Sequence, residues 1–241
     1  MPIAIILAAG KGTRMRSHLP KPIVPFKGKP IVSHLIDAFM HAGVNDIYLI
    51  VGHGADEVRE EVGEEVHYAF QKEQKGTAHA VLQMQSTEAW KDTNVFVFVG
   101  DSPLIQASTI KLLEKYHRDS NASCTFLTAD FPIDLPYARV LKNEAGQLIG
   151  CVEEKNATVD QLEIRELLTS HFIFNGNDLF DNLSEIKADK DNQEYYLTDI
   201  IDVFLRKGML VETLKIDSYK ELVGLNTPED IAWAEEALQT N

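Results

Sequence analysis

The chain has 241 residues, with 23 basic and 37 acidic side chains and a formal net charge of -14. That length suits one α/β domain, 1–241, folded around a continuous sheet without crosslinks, and that charge argues against a nucleic-acid or anionic-membrane partner, whose surface it would repel. Cys124 and Cys151 lie in apolar stretches without C-x-x-C spacing and read as structural thiols, while the run Ile3 to Ala9 is too short for a signal peptide or a membrane span, so a cytoplasmic protein is expected.

Apolar, β-branched runs alternate with helical patterns, the signature of βα units and a mostly parallel, Rossmann-like sheet covered by helices on both faces. Strands are predicted at Ile3 to Leu7, Asp46 to Val51, Val95 to Val99, Cys124 to Ala129, His171 to Phe174 and Val211 to Ile216. A helix over Val32 to His41 is closed by Gly43, and another runs from about Ser108 to His117. Between Tyr137 and Val152, two short apolar runs flank Asn143-Glu144-Ala145-Gly146 and read as an inserted β-hairpin. Thr227-Pro228-Glu229-Asp230 carries an N-cap hydroxyl, proline at the first helical position and acids in the first turn, so a last helix begins there.

Charge is unevenly spread. Residues 1–30 hold Lys11, Arg14, Arg16, Lys21, Lys27 and Lys29 and no acid, a positive island on an acidic body that suits a small polyanion. The first strand runs into Ala8-Ala9-Gly10-Lys11-Gly12-Thr13-Arg14-Met15, where small residues admit a ligand to the backbone and N–H groups can face phosphate oxygens. Met15 stands where a dinucleotide fingerprint has its third glycine, and Walker A spacing is absent. The cations Arg14 and Lys21, the latter in Leu19-Pro20-Lys21-Pro22, set the loop apart. Asp101 follows the very apolar third strand, which puts a carboxylate at the carboxyl edge of the sheet; a single carboxylate suits magnesium, which takes its other ligands from water and substrate phosphates. His79 alone reads as a packed or capping residue, and Gln74 and Lys75 as surface loop.

Leu7 to Met15 followed by Pro20-Lys21-Pro22 resembles the signature of the sugar-nucleotide pyrophosphorylases of the nucleotide-diphospho-sugar transferase fold. Further matches come in order: Gln71 to Ala80, Gly100-Asp101 with Pro103-Leu104, Glu153 to Thr158, Glu194 to Asp199 and Gly224-Leu225-Asn226. The chain is most similar to the uridylyltransferase domain of bifunctional N-acetylglucosamine-1-phosphate enzymes. The resemblance implies condensation of UTP with a sugar-1-phosphate, N-acetylglucosamine-1-phosphate first, with release of pyrophosphate. It implies Arg14 and Lys21 as catalytic groups and Asp101 with Asn226 as ligands of Mg2+. It implies nucleotide binding by Leu7, Ala8, Ala9, Gly10, Gly12, Thr13, Gln71, Gly76 and Thr77. Sugar binding falls to Ala138, Glu153, Leu168, Tyr195, Tyr196 and Thr198. Read physically, the Gln71 amide can donate to and accept from a pyrimidine edge.

Two departures bear on the sugar: the family's Tyr-Gly-Arg is Tyr137-Ala138-Arg139, and its Asn-Thr-Gly is Leu168-Thr169-Ser170, which removes an amide. The family's C-terminal β-helix acetyltransferase domain has no counterpart in this sequence, so acetyl transfer is not expected. The alternatives are another hexose-1-phosphate such as glucose-1-phosphate, a phosphorylated alcohol with CTP, or a noncatalytic sugar-nucleotide sensor.

Overall fold

The strands are β1 (Ile3–Ala8), β2 (Pro25–Phe26), β3 (Lys29–Pro30), β4 (Ile47–Val51), β5 (His67–Phe70), β6 (Asn94–Val99), β7 (Cys124–Asp130), β8 (Ala138–Lys142), β9 (Leu148–Val152), β10 (Glu166–Asn175) and β11 (Val211–Lys215). The helices are α1 (Ile31–Ala42), α2 (Ala55–Val62), α3 (Thr77–Leu82), α4 (Ala107–Ser120), α5 (Val159–Leu162), α6 (Gly176–Asn182), α7 (Ile200–Arg206) and α8 (Pro228–Ala237). This computed structural model describes residues 1–238, so the last three residues of the expected 1–241 domain lie outside the described residues.

One nine-stranded sheet runs in the order β11-β7-β10-β6-β1-β4-β5, with the β8–β9 hairpin attached to β10. β1 pairs in parallel with both β4 and β6, β4 with β5, and β7 with β11, while β10 is antiparallel to its neighbours β6 and β7. Alternation along the strands explains the two covered faces. Ile3, Ile5, Val95 and Val97 join a core with Val81, Leu179, Ile200 and Phe204 from α3, α6 and α7. Ala4, Ile6, Phe96 and Phe98 face the other way, toward Leu35 and Phe39 of α1, Val58 of α2 and Ile110 and Leu113 of α4.

The six expected strands and both early helices are present with ends shifted by a few residues. α1 stops at Gly43, whose φ of 92° lets its N–H return to the Phe39 and Met40 carbonyls. The hairpin turns at Asn143–Gly146, with Gly146 donating to the Asn143 carbonyl at 2.9 Å. α8 opens with the expected capping box, in which Thr227 and Asp230 bond each other's backbone N–H. β10 begins five residues before the expected His171, because a bulge between Leu168 and Phe172, with Ser170 at φ 61°, breaks the alternation the sequence pattern relies on. The edge strand β5 and the acid-rich α2, which buries Val58 alone, carry too little apolar patterning to stand out. Both cysteines are free, and burial pushes the Cys124 thiol up.

Candidate active site

The chain leaves β1, returns through α1 to β4 on one side, and later places β6 on the other side of β1. Ligand clefts of open α/β sheets form at such a reversal, outside the carboxyl ends of the strands. Here the loops after β1, β5 and β6 surround a cleft of about 280 Å³ lined by Leu7, Ala8, Ala9, Gly10, Gln71, Gly76, Thr77 and Asp101. A second basin of about 600 Å³ adjoins it, lined by Lys11, Gly12, Thr13, Arg14 and Asn226; both share Gly10, Lys21, Gln74 and Glu194.

The phosphate-loop candidate is held by packing beneath it. Met15, at the position where another motif would have glycine, is 3% exposed and packs with Val24, Phe26, Ile31, Leu225 and Ala234. Burying a side chain of that size contributes about 1.5–3 kcal/mol, which anchors residues 13–26 to α1 and α8. Gly12 takes φ 57°, and a Cβ there would lie 2.5 Å from the Lys21 Cβ, so glycine lets the loop close on the lysine stem.

Three charged groups and one amide then converge. The Lys21 ammonium pairs with the Asp101 carboxylate and donates to Asn226 Oδ1 at 2.8 Å, while Arg14 donates to the same oxygen at 2.8 Å. Asn226 is fixed by its Nδ2 on the Gly224 carbonyl (3.1 Å) and by its backbone N–H on Asp230 (2.8 Å). Gly224 packs on Asp101, where a Cβ would stand 3.0 Å from Oδ1, and Leu225 N–H bonds the Asp101 carbonyl at 2.8 Å. Tyr137 accepts from Gly224 N–H at 3.1 Å; burial pushes its hydroxyl up to about 12, so it stays protonated. Asp101 Oδ1 is sealed and has no donor, an acceptor whose missing partner a cation would supply.

On the far wall, Gln71 is 3% exposed and its Nε2 bonds the Gly76 carbonyl (3.1 Å) and His79 Nδ1 (2.9 Å). Gly76, at φ 95°, leaves no room for a side chain because the Tyr195 backbone crosses it. The Thr77 hydroxyl accepts from Leu197 N–H at 2.8 Å, tying α3 to residues 195–198.

The expected sugar residues divide. Tyr196 lines the cleft, and Glu153 bonds Thr198. Burial raises the Glu153 carboxyl, opposed by that bond and by Lys155. Tyr195 instead lines a separate cavity with Lys75, Leu82 and Leu183, and its backbone bonds Ala78 and Lys75 beside Gly76. Ala138 and Leu168 face each other across β8 and β10, are 3% exposed and sit in the main core; they line neither the 280 Å³ nor the 600 Å³ cavity. Arg139 is buried and bonds the Leu135 and Tyr137 carbonyls, a staple for the loop before β8.

Gln74, expected in a surface loop, lines both cavities with Glu194, and its Nε2 bonds the Gln71 carbonyl at 3.1 Å. Of the six early cations, Lys11, Arg14 and Lys21 line the basin, whereas Lys29 pairs with Asp37 and Arg16 lies 3.7 Å from Glu229. A cationic basin beside a mostly apolar slot has the chemistry to hold and polarise a nucleoside polyphosphate.

Fold and site together are those of a nucleotidyltransferase. The chain belongs to the MobA-like NTP transferase domain family, which it matches over residues 4–196. It is 40% identical to the bifunctional protein GlmU of Brevibacillus brevis over 96% of its length, and 40% identical to that of Enterococcus faecalis over 92%. It spans about half the length of these curated relatives, 50% and 49%. Among solved structures it resembles a UDP-glucose pyrophosphorylase complexed with UDP-glucose (TM-score 0.80, 19% identity, 100% of this chain and 99% of that one). It also resembles a putative glucose-1-phosphate thymidylyltransferase from Bacillus anthracis (TM-score 0.82, 16% identity, 100% and 96%). Both share the mostly parallel sheet. Among the described residues no helix is long and apolar enough to cross a membrane.

Proposed function

We propose that the protein condenses UTP with a sugar-1-phosphate, giving a UDP-sugar and pyrophosphate, with N-acetylglucosamine-1-phosphate the first candidate substrate. The observation that carries this reading is the convergence of Lys21, Arg14, Asp101 and Asn226 at the mouth of a slot walled by Gln71 and Gly76. The GlmU relatives support the choice of nucleotide and sugar.

A phosphate oxygen of the sugar-1-phosphate, already ionised at neutral pH, attacks the α-phosphorus of UTP in line, so neither a protein nucleophile nor a general base is required. The work left to the protein is to bring two anions together and hold the charge of the departing pyrophosphate. Lys11, Arg14 and Lys21 surround the basin where the β- and γ-phosphates would lie against the 10–13 backbone. Asp101, with one unpartnered oxygen, and Asn226 Oδ1 form a small oxygen set that fits magnesium, the remaining ligands coming from substrate phosphates and water. A magnesium ion bound there would neutralise phosphate charge as it develops. Glu153 with Thr198, and Tyr196 at the cleft, would hold the sugar.

Glucose-1-phosphate is the second candidate, since neither Ala138 nor Leu168 reaches the cavities to serve an acetamido group. Pyrophosphate release measured over UTP, dTTP, CTP, ATP and GTP crossed with sugar-1-phosphates tests the reading. Turnover is expected with UTP, then dTTP. Preference for a purine nucleotide overturns it, and tight UDP-sugar binding with no turnover in any pairing makes the protein a sensor instead.

A further inference from the structure

Resting on the uridine reading above, we propose that His79 is the positioning residue that sets the choice of pyrimidine, by locking the Gln71 amide with its carbonyl oxygen toward the base. The Gly76 carbonyl can only accept, so the Gln71 atom 3.1 Å from it must be the amide nitrogen. The same nitrogen lies 2.9 Å from His79 Nδ1 and has one hydrogen left, so Nδ1 accepts it and the imidazole carries its proton on Nε2. Both amide hydrogens are then spent inside the protein. Gln71 Oε1 has no donor among the described residues, is not among the sealed polar atoms, and belongs to a residue that lines the cleft.

An outward oxygen accepts from the N3–H of uracil or thymine and repels the bare N3 of cytosine. Presenting an N–H instead requires the amide to flip, which would set Oε1 against the Gly76 carbonyl, an acceptor only, and would require the His79 imidazole to move its proton from Nε2 to Nδ1. The surroundings resist adjustment: Gln83 bonds the His79 carbonyl at 2.8 Å, and Ala78 N–H bonds the Tyr195 carbonyl at 2.9 Å. The His79 signal was invisible in sequence because the contact joins β5's end to α3 through side chains.

The test compares His79→Leu, which removes the acceptor, with His79→Asn, whose Oδ1 falls near the place of Nδ1. Steady-state kcat and KM are measured for UTP and CTP with one sugar-1-phosphate. In His79→Leu the UTP over CTP ratio of kcat/KM is expected to fall by about tenfold or more, mainly through a raised KM for UTP with kcat little changed, and His79→Asn recovers most of it. A purely structural role would lower stability and kcat for both nucleotides and leave the ratio alone. An unchanged ratio in His79→Leu, or no recovery in His79→Asn, overturns the proposal. Should His79→Leu be unstable, calorimetric binding of UDP and CDP to His79→Ala reads the same ratio. A wild-type protein without preference for UTP over CTP would sink the uridine reading itself; a wild-type preference that survives His79→Leu sinks the role of His79 alone.

Discussion

Replacing Gly12 by alanine separates two effects that the phosphate loop combines. The residue sits at φ 57°, where an L side chain costs about 1–2 kcal/mol. Its new Cβ would also lie 2.5 Å from the Lys21 Cβ, roughly 1 Å inside ordinary carbon–carbon contact. Relief requires the Lys21 stem to move, and overpacking of this kind costs about 1–3 kcal/mol more. Moving the stem carries the ammonium away from Asp101 and Asn226, and a misplacement of ~1 Å at a reacting site can cost ~100-fold in rate. Gly146→Ala is the control, since that glycine also has positive φ, 77°, but no atom lies within 4 Å of its Cβ, and it sits in the distant β8–β9 turn. Urea unfolding should therefore show a loss of about 1–2 kcal/mol for Gly146→Ala and about 2–5 for Gly12→Ala, with pyrophosphate release lowered ~100-fold only in the latter. Equal stability losses with unimpaired turnover in Gly12→Ala would refute the reasoning.

Asp101→Asn should lower magnesium-dependent turnover by about 100-fold or more and weaken the magnesium response in calorimetry, while Lys21 keeps its bond to Asn226; near-normal turnover would remove Asp101 from the metal set. Asp199 is raised to about 6 by burial, then by the charges of Asp202, Glu153 and Asp189. The folded protein thus holds a proton that the unfolded chain releases near its ordinary 3.8, so stability falls as pH rises from about 4 through 6. Because the group is only partly buried, screening reduces the effect to roughly 1 kcal/mol, and Asp199→Asn should gain that much at pH 7.5 and little at pH 4, compared by thermal unfolding at both. Leu168→Asn buries an amide in the core and should cost about 2–5 kcal/mol in urea unfolding; a loss under about 1 kcal/mol would mean that the side chain opens to the sugar.

What the sequence shows is tied to residue type and local spacing. β1 and β6 are legible because apolar residues fill both faces, and α8 because its cap, proline and acids stand in adjacent positions. Lys21 and Asp101 are legible as charges beside small residues and a strand end. Illegible features depend on partners distant in sequence. Nothing local marks Gln74 as a cleft residue, since its place follows from β4's end at Gly52, where a Cβ would stand 2.8 Å from the Gln74 amide nitrogen. Tyr195 and Tyr196 are adjacent identical residues, and only the fold places one at the cleft and the other at a separate cavity. Leu168 fits the spacing of a sugar residue, yet the bulge at Ser170 leaves it in the core.

Residues 194–198 show how these distant contacts join the two halves of the reaction. Glu194 lines both the nucleotide cleft and the phosphate basin, and the Tyr195 backbone accepts from Ala78 and donates to Lys75 across Gly76. Leu197 donates to Thr77 on the nucleotide side, while Thr198 bonds Glu153 on the other. In the proposed reading, one five-residue segment would therefore border the base, the phosphates and the sugar. Its backbone is fixed against α3 by two hydrogen bonds, with Ala78 and Thr77, and to Lys75 by a third, and no side-chain substitution in the segment removes them. Gly76 is the point where that fixing is most sensitive: any side chain there meets the Tyr195 amide, whose nitrogen would lie 2.7 Å from the Cβ. In the proposed reading, the glycine that opens the slot for the base is thus also what lets the segment proposed for the sugar reach it, and coupling between the two substrates would pass through that crossing.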